Sequence, residues 1–237
     1  HREQAVAKAI EKTLHLRPDS YTYEIMRKSI DARKKPQLAA VYTVDVSLKH
    51  GNEKKLAAGC RNRNVSVIQR SIYQFPESGT EPLKHPPVII GCGPAGLFCG
   101  LMLARAGYRP VIVERGQPVE KRTEDVENFW QGGSLNPESN VQFGEGGAGT
   151  FSDGKLNTLV RDLSGRNRRV LEEFVRAGAK PSILYENKPH IGTDVLKNVV
   201  RNIREEIISL GGAVRFGAKV TELVVEQGRM SGVIING

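Results

Sequence analysis

Apolar residues in the first part of the chain change from helical to alternating spacing, and each spacing predicts a different element. Val6, Ala9 and Ile10 recur at helical intervals, whereas Tyr42 and Val44 alternate with polar residues as on a half-buried strand. The pattern predicts, in order, a helix at 2–14, strands at 21–32 and 38–48, a short helix at 52–58 and a strand at 65–73.

From Val88 onward, short apolar runs alternate with longer amphipathic stretches, which is typical of an α/β fold. Gly107 and Gly178 follow two of the helical stretches as C-cap residues, and Thr193 is a plausible N-cap of the last one. The predicted elements are a buried strand opening at Val88, helix 94–106, strand 110–114, helices 166–177 and 194–210, strand 213–216, and a hairpin of 220–226 with 230–235.

Prolines interrupt the chain between these two parts, so residues 76–87 are predicted to be a linker between domains 1–75 and 88–237. The α-β-β-α-β order of the first domain would become a ferredoxin-like βαββαβ unit with one more strand in front. We therefore expect a small ferredoxin-like α+β domain whose N-terminal strand has been lost, followed by an α/β domain.

A glycine motif opens the second domain, where residues 88–96 read V-I-I-G-C-G-P-A-G. Gly91 allows a tight turn out of the strand, and Gly93 lets the backbone approach a pyrophosphate. Gly96 lets the following helix pack closely on the sheet. An acid, Glu114, ends the next apolar run and can accept hydrogen bonds from ribose hydroxyls. This order predicts a site for the ADP half of a dinucleotide.

The start of the helix at Pro94 and Ala95 offers free N–H groups and a positive dipole end to the phosphates. Glu114 would repel a 2′-phosphate, which favours FAD or NAD over NADP. Cys92 and Cys99 lie in the same element and are interpreted as small core residues rather than redox groups.

Composition limits the remaining function classes. The 237 residues contain 26% charged and 39% hydrophobic residues, an ordinary balance for a globular chain, with no apolar run of about 20 residues that could span a bilayer. Three cysteines without a C-x-x-C pair fit a reducing, cytoplasmic location. The five histidines show no metal-ligand spacing, so no metal site is predicted.

The net charge of +9 has two interpretations: a basic solvated surface, or a footprint for nucleic acid. Ferredoxin-like sheets can bind RNA through basic and aromatic side chains, although no R-G-F-G-F-V-x-F-like strand is present. The residues that could do so are Arg27, Lys28, Arg33, Lys34, Lys35, Arg61, Arg63 and Arg70, interleaved with Tyr21, Tyr23 and Tyr42.

The second domain resembles the two-dinucleotide-binding-domain flavoproteins, which bind FAD in an interrupted Rossmann-like domain. Val88–Gly100, Glu114-Arg115 and Gly212–Leu223 carry this resemblance. The motifs at 144–158 (G-E-G-G-A-G-T-F-S-D-G-K-L-N-T) and 188–194 (K-P-H-I-G-T-D), with the run at 29–35 (S-I-D-A-R-K-K), are similar to a bacterial family of uncharacterised FAD-dependent dehydrogenases with a ferredoxin-like N-terminal domain.

The resemblance implies a set of cofactor-binding residues beyond the glycine motif. The backbone near Val220 would meet the adenine ring, and the glycine-rich run would lie beside the pyrophosphate, ribityl chain or flavin ring. A flexible surface loop is the alternative for this run. Lys155 either places positive charge near the flavin or is solvated. Asp153 either orients Lys155 or caps a turn. His190 is either functional near the flavin or a structural histidine. The set is Arg115, Gly146, Gly147, Gly149, Thr150, Lys155 and Val220.

Together these patterns predict an FAD-dependent oxidoreductase in which hydride passes between a nicotinamide, NAD(P)H, and an unidentified small-molecule substrate. The alternative is a nucleic-acid-associated flavoprotein that binds or modifies RNA. No residue is assigned a catalytic role. By resemblance, later segments close the FAD domain in related proteins, so the domain is expected to be incomplete at residue 237.

Overall fold

The computed structural model describes residues 2–156, 158, 160 and 162–237. Asn157, which belongs to the motif at 144–158, lies outside the described residues. Two short 3₁₀ turns, Ala148–Phe151 and Pro181–Leu184, accompany the regular elements. These elements are α1 (Arg2–Leu14), β1 (Tyr21–Asp31), β2 (Ala39–Leu48), α2 (Glu53–Gly59), β3 (Val88–Ile90), α3 (Pro94–Arg105), β4 (Val111–Val113), α4 (Val119–Trp130), α5 (Arg166–Arg176), α6 (Thr193–Ser209), β5 (Ala213–Arg215), β6 (Val220–Glu226) and β7 (Arg229–Ile235).

The chain divides into two compact units. The first comprises residues 1–73, 158–171 and 181–189, and the second comprises 74–157, 172–180 and 190–237. This division differs from the predicted domains, in which residues 158–171 and 181–189 belong to the second domain, and the domain boundaries stay a prediction. Backbone bonding explains the difference for the latter segment, because the amide of Lys28 donates to Tyr185 at 2.6 Å and the amide of Asn187 donates to Lys28 at 3.1 Å.

Within the first unit, α1 packs on an antiparallel pair of strands, β1 and β2. Val6 and Ile10 of the helix are buried against Tyr21, as the helical spacing predicts. The third predicted strand, 65–73, is wrong: none of its residues pairs with a strand among the described residues. Its apolar residues Ile68 and Ile72 are 53% and 79% exposed, so no burial rewards a strand there. The βαββαβ arrangement therefore stays a prediction.

The second unit contains a three-stranded parallel sheet in the order β3-β4-β5. Helices α3 and α6 pack together on it, and their contact depends on Gly100, where an added Cβ would lie 2.6 Å from Cδ1 of Ile112 and 3.3 Å from Cδ1 of Ile207. Ile112 is fully buried at the centre of this core. The result is a mixed α/β fold with a parallel sheet, compatible with a Rossmann-like fold.

Three features of this unit differ from the expectations. β3 was predicted to be buried, yet Val88 and Ile90 are 48% and 55% exposed. These two residues share one face of the strand, whereas Ile89 lies on the other face, toward Gly96 of α3. Helix α4 was not predicted, and Gly192 rather than Thr193 is the N-cap of α6. Among the described residues, no helix is long and apolar enough to cross a membrane.

Candidate functional site

A cavity of about 350 Å³ lies in the second unit beside the carboxyl ends of β3 and β4. In open α/β sheets ligands bind outside the carboxyl ends of the strands. Four separate segments of the chain meet at the cavity. Its lining residues are Ile90, Gly91, Gly93, Val113, Glu114, Arg115, Gln142, Phe143, Gly144, Gly147, Ala218, Lys219 and Val220.

Gly91 and Gly96 have the turn and packing geometry that the motif predicts, and Gly93 lines the cavity. Gly91 has a φ of +94°, a conformation that favours glycine at the tight turn. An added Cβ on Gly93 would lie 4.0 Å from the Cα of Gly147, so the two glycine backbones flank the cavity closely. An added Cβ on Gly96 would lie 1.9 Å from the carbonyl oxygen of Gly91, so Gly96 serves close helix packing rather than ligand contact.

The N-terminus of α3 is open toward an anion. Gly93 is the N-cap and Pro94 occupies the first turn, and no side chain among the described residues caps this end of the helix. Within the same part of the chain, the first backbone donor of the helix with a partner is the amide of Leu97, which donates to Gly93 at 2.9 Å. The preceding N–H groups and the positive end of the helix dipole can therefore stabilise a phosphate.

Glu114 is 5% exposed, and its carboxylate holds the glycine turn in place. Oε2 accepts a hydrogen bond from the amide of Cys92 at 2.7 Å. Oε1 accepts from the amides of Gly116 at 2.8 Å and Gly144 at 3.1 Å. A carboxylate oxygen has two lone pairs, so Oε1 is saturated and Oε2 retains one acceptor site for a ribose hydroxyl. Glu114 thus accepts three hydrogen bonds from the protein backbone and could accept one more from a ligand.

The glycine-rich loop lies against the motif turn. The amide of Gly146 donates to the carbonyl of Cys92 at 2.8 Å, which joins the loop to the turn. Gly147, with a φ of +66°, would place an added Cβ 3.0 Å from Cδ of Pro94. Glycine is therefore needed at Gly147 both for its conformation and for its close approach to α3.

A buried acid, Glu145, stands behind this loop. Its Oε2 accepts a hydrogen bond from the amide of Val119 at 2.7 Å and pairs with Arg204 at 2.7 Å, while Oε1 has no partner among the described residues. Burial raises the pKa of Glu145 to about 6, although the Val119 amide and Arg204 act in the opposite direction. Ionised Glu145 is consequently a cost to the fold at neutral pH.

This pKa predicts a pH dependence of stability. The pKa rises from 4.5 to about 6 on folding, so the folded state binds more protons and the stabilisation present below pH 4.5 is lost as pH rises through 6. Relative to Glu145→Gln, the free energy of unfolding of the native chain should fall by about 2 kcal/mol between pH 4 and pH 7. Urea unfolding at each pH measures the free energy of unfolding. If this free energy changed equally with pH in the native chain and in Glu145→Gln, the raised pKa of Glu145 would be contradicted. Glu77→Gln, at an exposed site, is the control.

Arg115 and Phe143 form the rim of the cavity, with the Arg115 guanidinium 4.1 Å from the ring centroid. Glu138 pairs with Arg115 at 2.6 Å and with Lys219 at 3.0 Å. Hydrogen bonds from Arg115 and then Lys219 lower the pKa of Glu138 to about 2. Glu138 thus pairs with two cations beside the cavity, Arg115 and Lys219.

The structure brings together only part of the predicted residue set. Gly91, Gly93, Glu114, Arg115, Gly147 and Val220 line the cavity. Thr150 is fully buried and Gly149 is exposed, and neither lines the cavity. Lys155 is exposed and pairs with Asp153 at 2.7 Å. The remaining predicted residues outside the lining are Pro94, Ala95, Gly96 and Gly146. For every residue of the predicted set, contact with a cofactor stays a prediction.

Sequence reasoning missed Phe143, Lys219 and Arg122. Phe143 directly precedes the glycine-rich run and Lys219 directly precedes Val220, so their proximity to predicted residues was the available signal. Arg122 had no such signal, because a single arginine in a charged stretch is usually interpreted as a surface residue.

A second, larger groove of about 1300 Å³ lies in the first unit between α1, β2 and residues 62–70. It contains none of the predicted cofactor-binding residues, but three of the candidate RNA-binding residues line it: Tyr23, Tyr42 and Arg70.

Comparisons with known proteins agree in giving little functional detail. Residues 1–47 match a family described as Domain of unknown function (DUF8436). A Clostridium beijerinckii protein described as uncharacterized is 47% identical over 231 residues, which cover 97% of this chain and 43% of that protein. The chain thus spans less than half the length of this relative. A solved structure, Thermovibrio ammonificans THI4, is similar with a TM-score of 0.39 and 23% identity, over 64% of this chain and 47% of that one.

Proposed function

We propose that the cavity binds the ADP half of FAD and that the protein is an FAD-dependent oxidoreductase. The observation that supports this is convergence: the glycine turn, the acid at the end of β4, the glycine-rich loop and the residues before β6 line one cavity. The sequence motif predicts that the glycine turn and the acid bind a dinucleotide, and the family resemblance implies the same for the glycine-rich loop and for Val220. The volume of about 350 Å³ is within the range of small-molecule sites.

The residues present fit an ADP group. The uncapped start of α3 could stabilise the phosphates, the backbones of Gly93 and Gly147 would leave room for them, and Glu114 Oε2 could accept a hydrogen bond from the ribose. When bound, FAD would supply hydride acceptance and donation between a nicotinamide and the substrate. The chain's own contribution is to bind the ADP half and fix its orientation. Glu114 disfavours a 2′-phosphate because the two groups carry like charges.

Competition among nucleotides tests the proposal. Titration of this chain with FAD should give saturable binding that ADP competes away, whereas FMN, which lacks the adenosine, should not compete. Absence of FAD binding, or equal competition by FMN, would overturn the assignment of the cavity to ADP. The oxidoreductase activity is tested separately with the full-length protein, in which NADH or NADPH should bleach the absorption of bound flavin.

A further inference from the structure

Arg122 is a charged residue that is fully buried in the second unit. It lies on the face of α4 that also buries Val119 and Val126. A buried guanidinium is retained only where its five N–H donors find acceptors, because an unpaired buried charge costs several kcal/mol. The acceptors of these hydrogen bonds therefore indicate the structural role of Arg122.

All three guanidinium nitrogens donate to carbonyl oxygens of one loop, residues 140–147. Nε donates to Asn140 at 2.9 Å and Nη2 donates to Val141 at 2.9 Å. Nη1 donates to Glu145 at 2.6 Å and Gly147 at 2.9 Å, with a longer contact to Gly144 at 3.4 Å. Five carbonyls from eight consecutive residues thus converge on one side chain.

The surroundings fix the guanidinium in this place. The ring of Phe151 lies 4.8 Å from its central carbon. An added Cβ on Gly144 would lie 2.5 Å from Cδ of Arg122, so the loop crosses directly over the side chain. Burial lowers the pKa of Arg122 to about 10, while Glu114 and Glu145 favour its charged form. The side chain is therefore a cation at neutral pH, and its charge lies behind the loop.

We propose that Arg122 is the positioning residue of the dinucleotide cavity, holding Gly144 and Gly147 as the wall opposite Gly93. The reason is the direction of the carbonyl dipoles of the loop. Carbonyl oxygens that accept hydrogen bonds from Arg122 point toward its guanidinium. Carbonyl oxygens that pointed into the cavity instead would repel an anionic pyrophosphate. The role rests on the proposed function for its ligand, but the ordering of the loop does not.

Hydrogen exchange tests the loop without any ligand. In Arg122→Lys, the ammonium has three donors and cannot reach five carbonyls. The amides of Gly144 and Gly146, which donate to Glu114 and Cys92, should then exchange roughly tenfold faster, whereas the α6 amides around Val199 should be unchanged. Unchanged exchange at both glycines would overturn the positioning role, whatever the chain binds.

Chemical rescue tests the link to the site. Arg122→Ala should bind FAD roughly tenfold more weakly or worse, and added guanidinium ions at millimolar concentration should restore most of the affinity. Arg176→Ala, at a half-exposed arginine away from the loop, should show neither effect. Loss of affinity in Arg122→Ala without rescue, in a protein of native circular dichroism, would overturn the proposal. If Arg122→Ala does not fold, Arg122→Lys gives the affinity measurement. Failure of the native chain to bind FAD would instead overturn the proposed function.

Discussion

Replacement of Glu114 by alanine is expected to lower the free energy of unfolding by about 3 kcal/mol or more. Three backbone N–H groups, those of Cys92, Gly116 and Gly144, would lose their acceptor. Each buried donor left without a partner costs about 1–3 kcal/mol. Urea unfolding measures the effect, and Glu127→Ala, at an exposed site of α4, is the matched control. A change of under about 0.5 kcal/mol would contradict the geometry.

A different substitution at the same residue, Glu114→Gln, tests the ligand bond. The free lone pair of Glu114 Oε2 predicts one charge-assisted hydrogen bond to a ribose hydroxyl, worth on the order of 1.5–3 kcal/mol, or roughly ten- to a hundred-fold in affinity. The native chain should therefore prefer ADP over 2′,3′-dideoxy-ADP by this factor, and Glu114→Gln should prefer it much less. Equal discrimination by both proteins would mean that Glu114 serves only the backbone.

The dinucleotide motif could be predicted from sequence because its parts are local. Gly91 and Gly96 act on the backbone within a few residues, and Glu114 follows the neighbouring strand, so their spacing alone predicts the tight turn, the close helix packing and the position of the acid. The structure adds what spacing could not show. Glu114 also accepts a hydrogen bond from the amide of Gly144, thirty residues further along the chain, because the segment that follows α4 returns to the glycine turn.

The rest of the site depends on tertiary contacts that leave no periodic signal. Arg122 reads as a surface charge in the sequence, yet the fold buries it completely. The segment 65–73 has the apolar residues of a strand, but a strand forms only where a partner edge and a covering face exist. Residues 181–189 join the first unit through two backbone bonds at Lys28, which no composition pattern marks.

Gly93 gives the sharpest separation of ligand binding from folding. Its φ of −74° and ψ of −175° are open to any residue, and an added Cβ would make only ordinary contact, 4.0 Å from the Cα of Gly147. Gly93→Val should therefore fold with near-native stability. Its two methyl groups would occupy the space between the two glycine backbones, where the pyrophosphate is proposed to lie.

We expect Gly93→Val to weaken FAD binding by roughly a hundred-fold, because steric overpacking of about 1–3 kcal/mol adds to the lost contacts of the phosphate with the start of α3. Gly79→Val is the matched control, since an added Cβ there meets nothing within 4 Å. Isothermal titration with FAD and urea unfolding of all three proteins separate the two quantities. Native affinity in a folded Gly93→Val protein would place the phosphates elsewhere and remove the main support for an ADP site in this cavity.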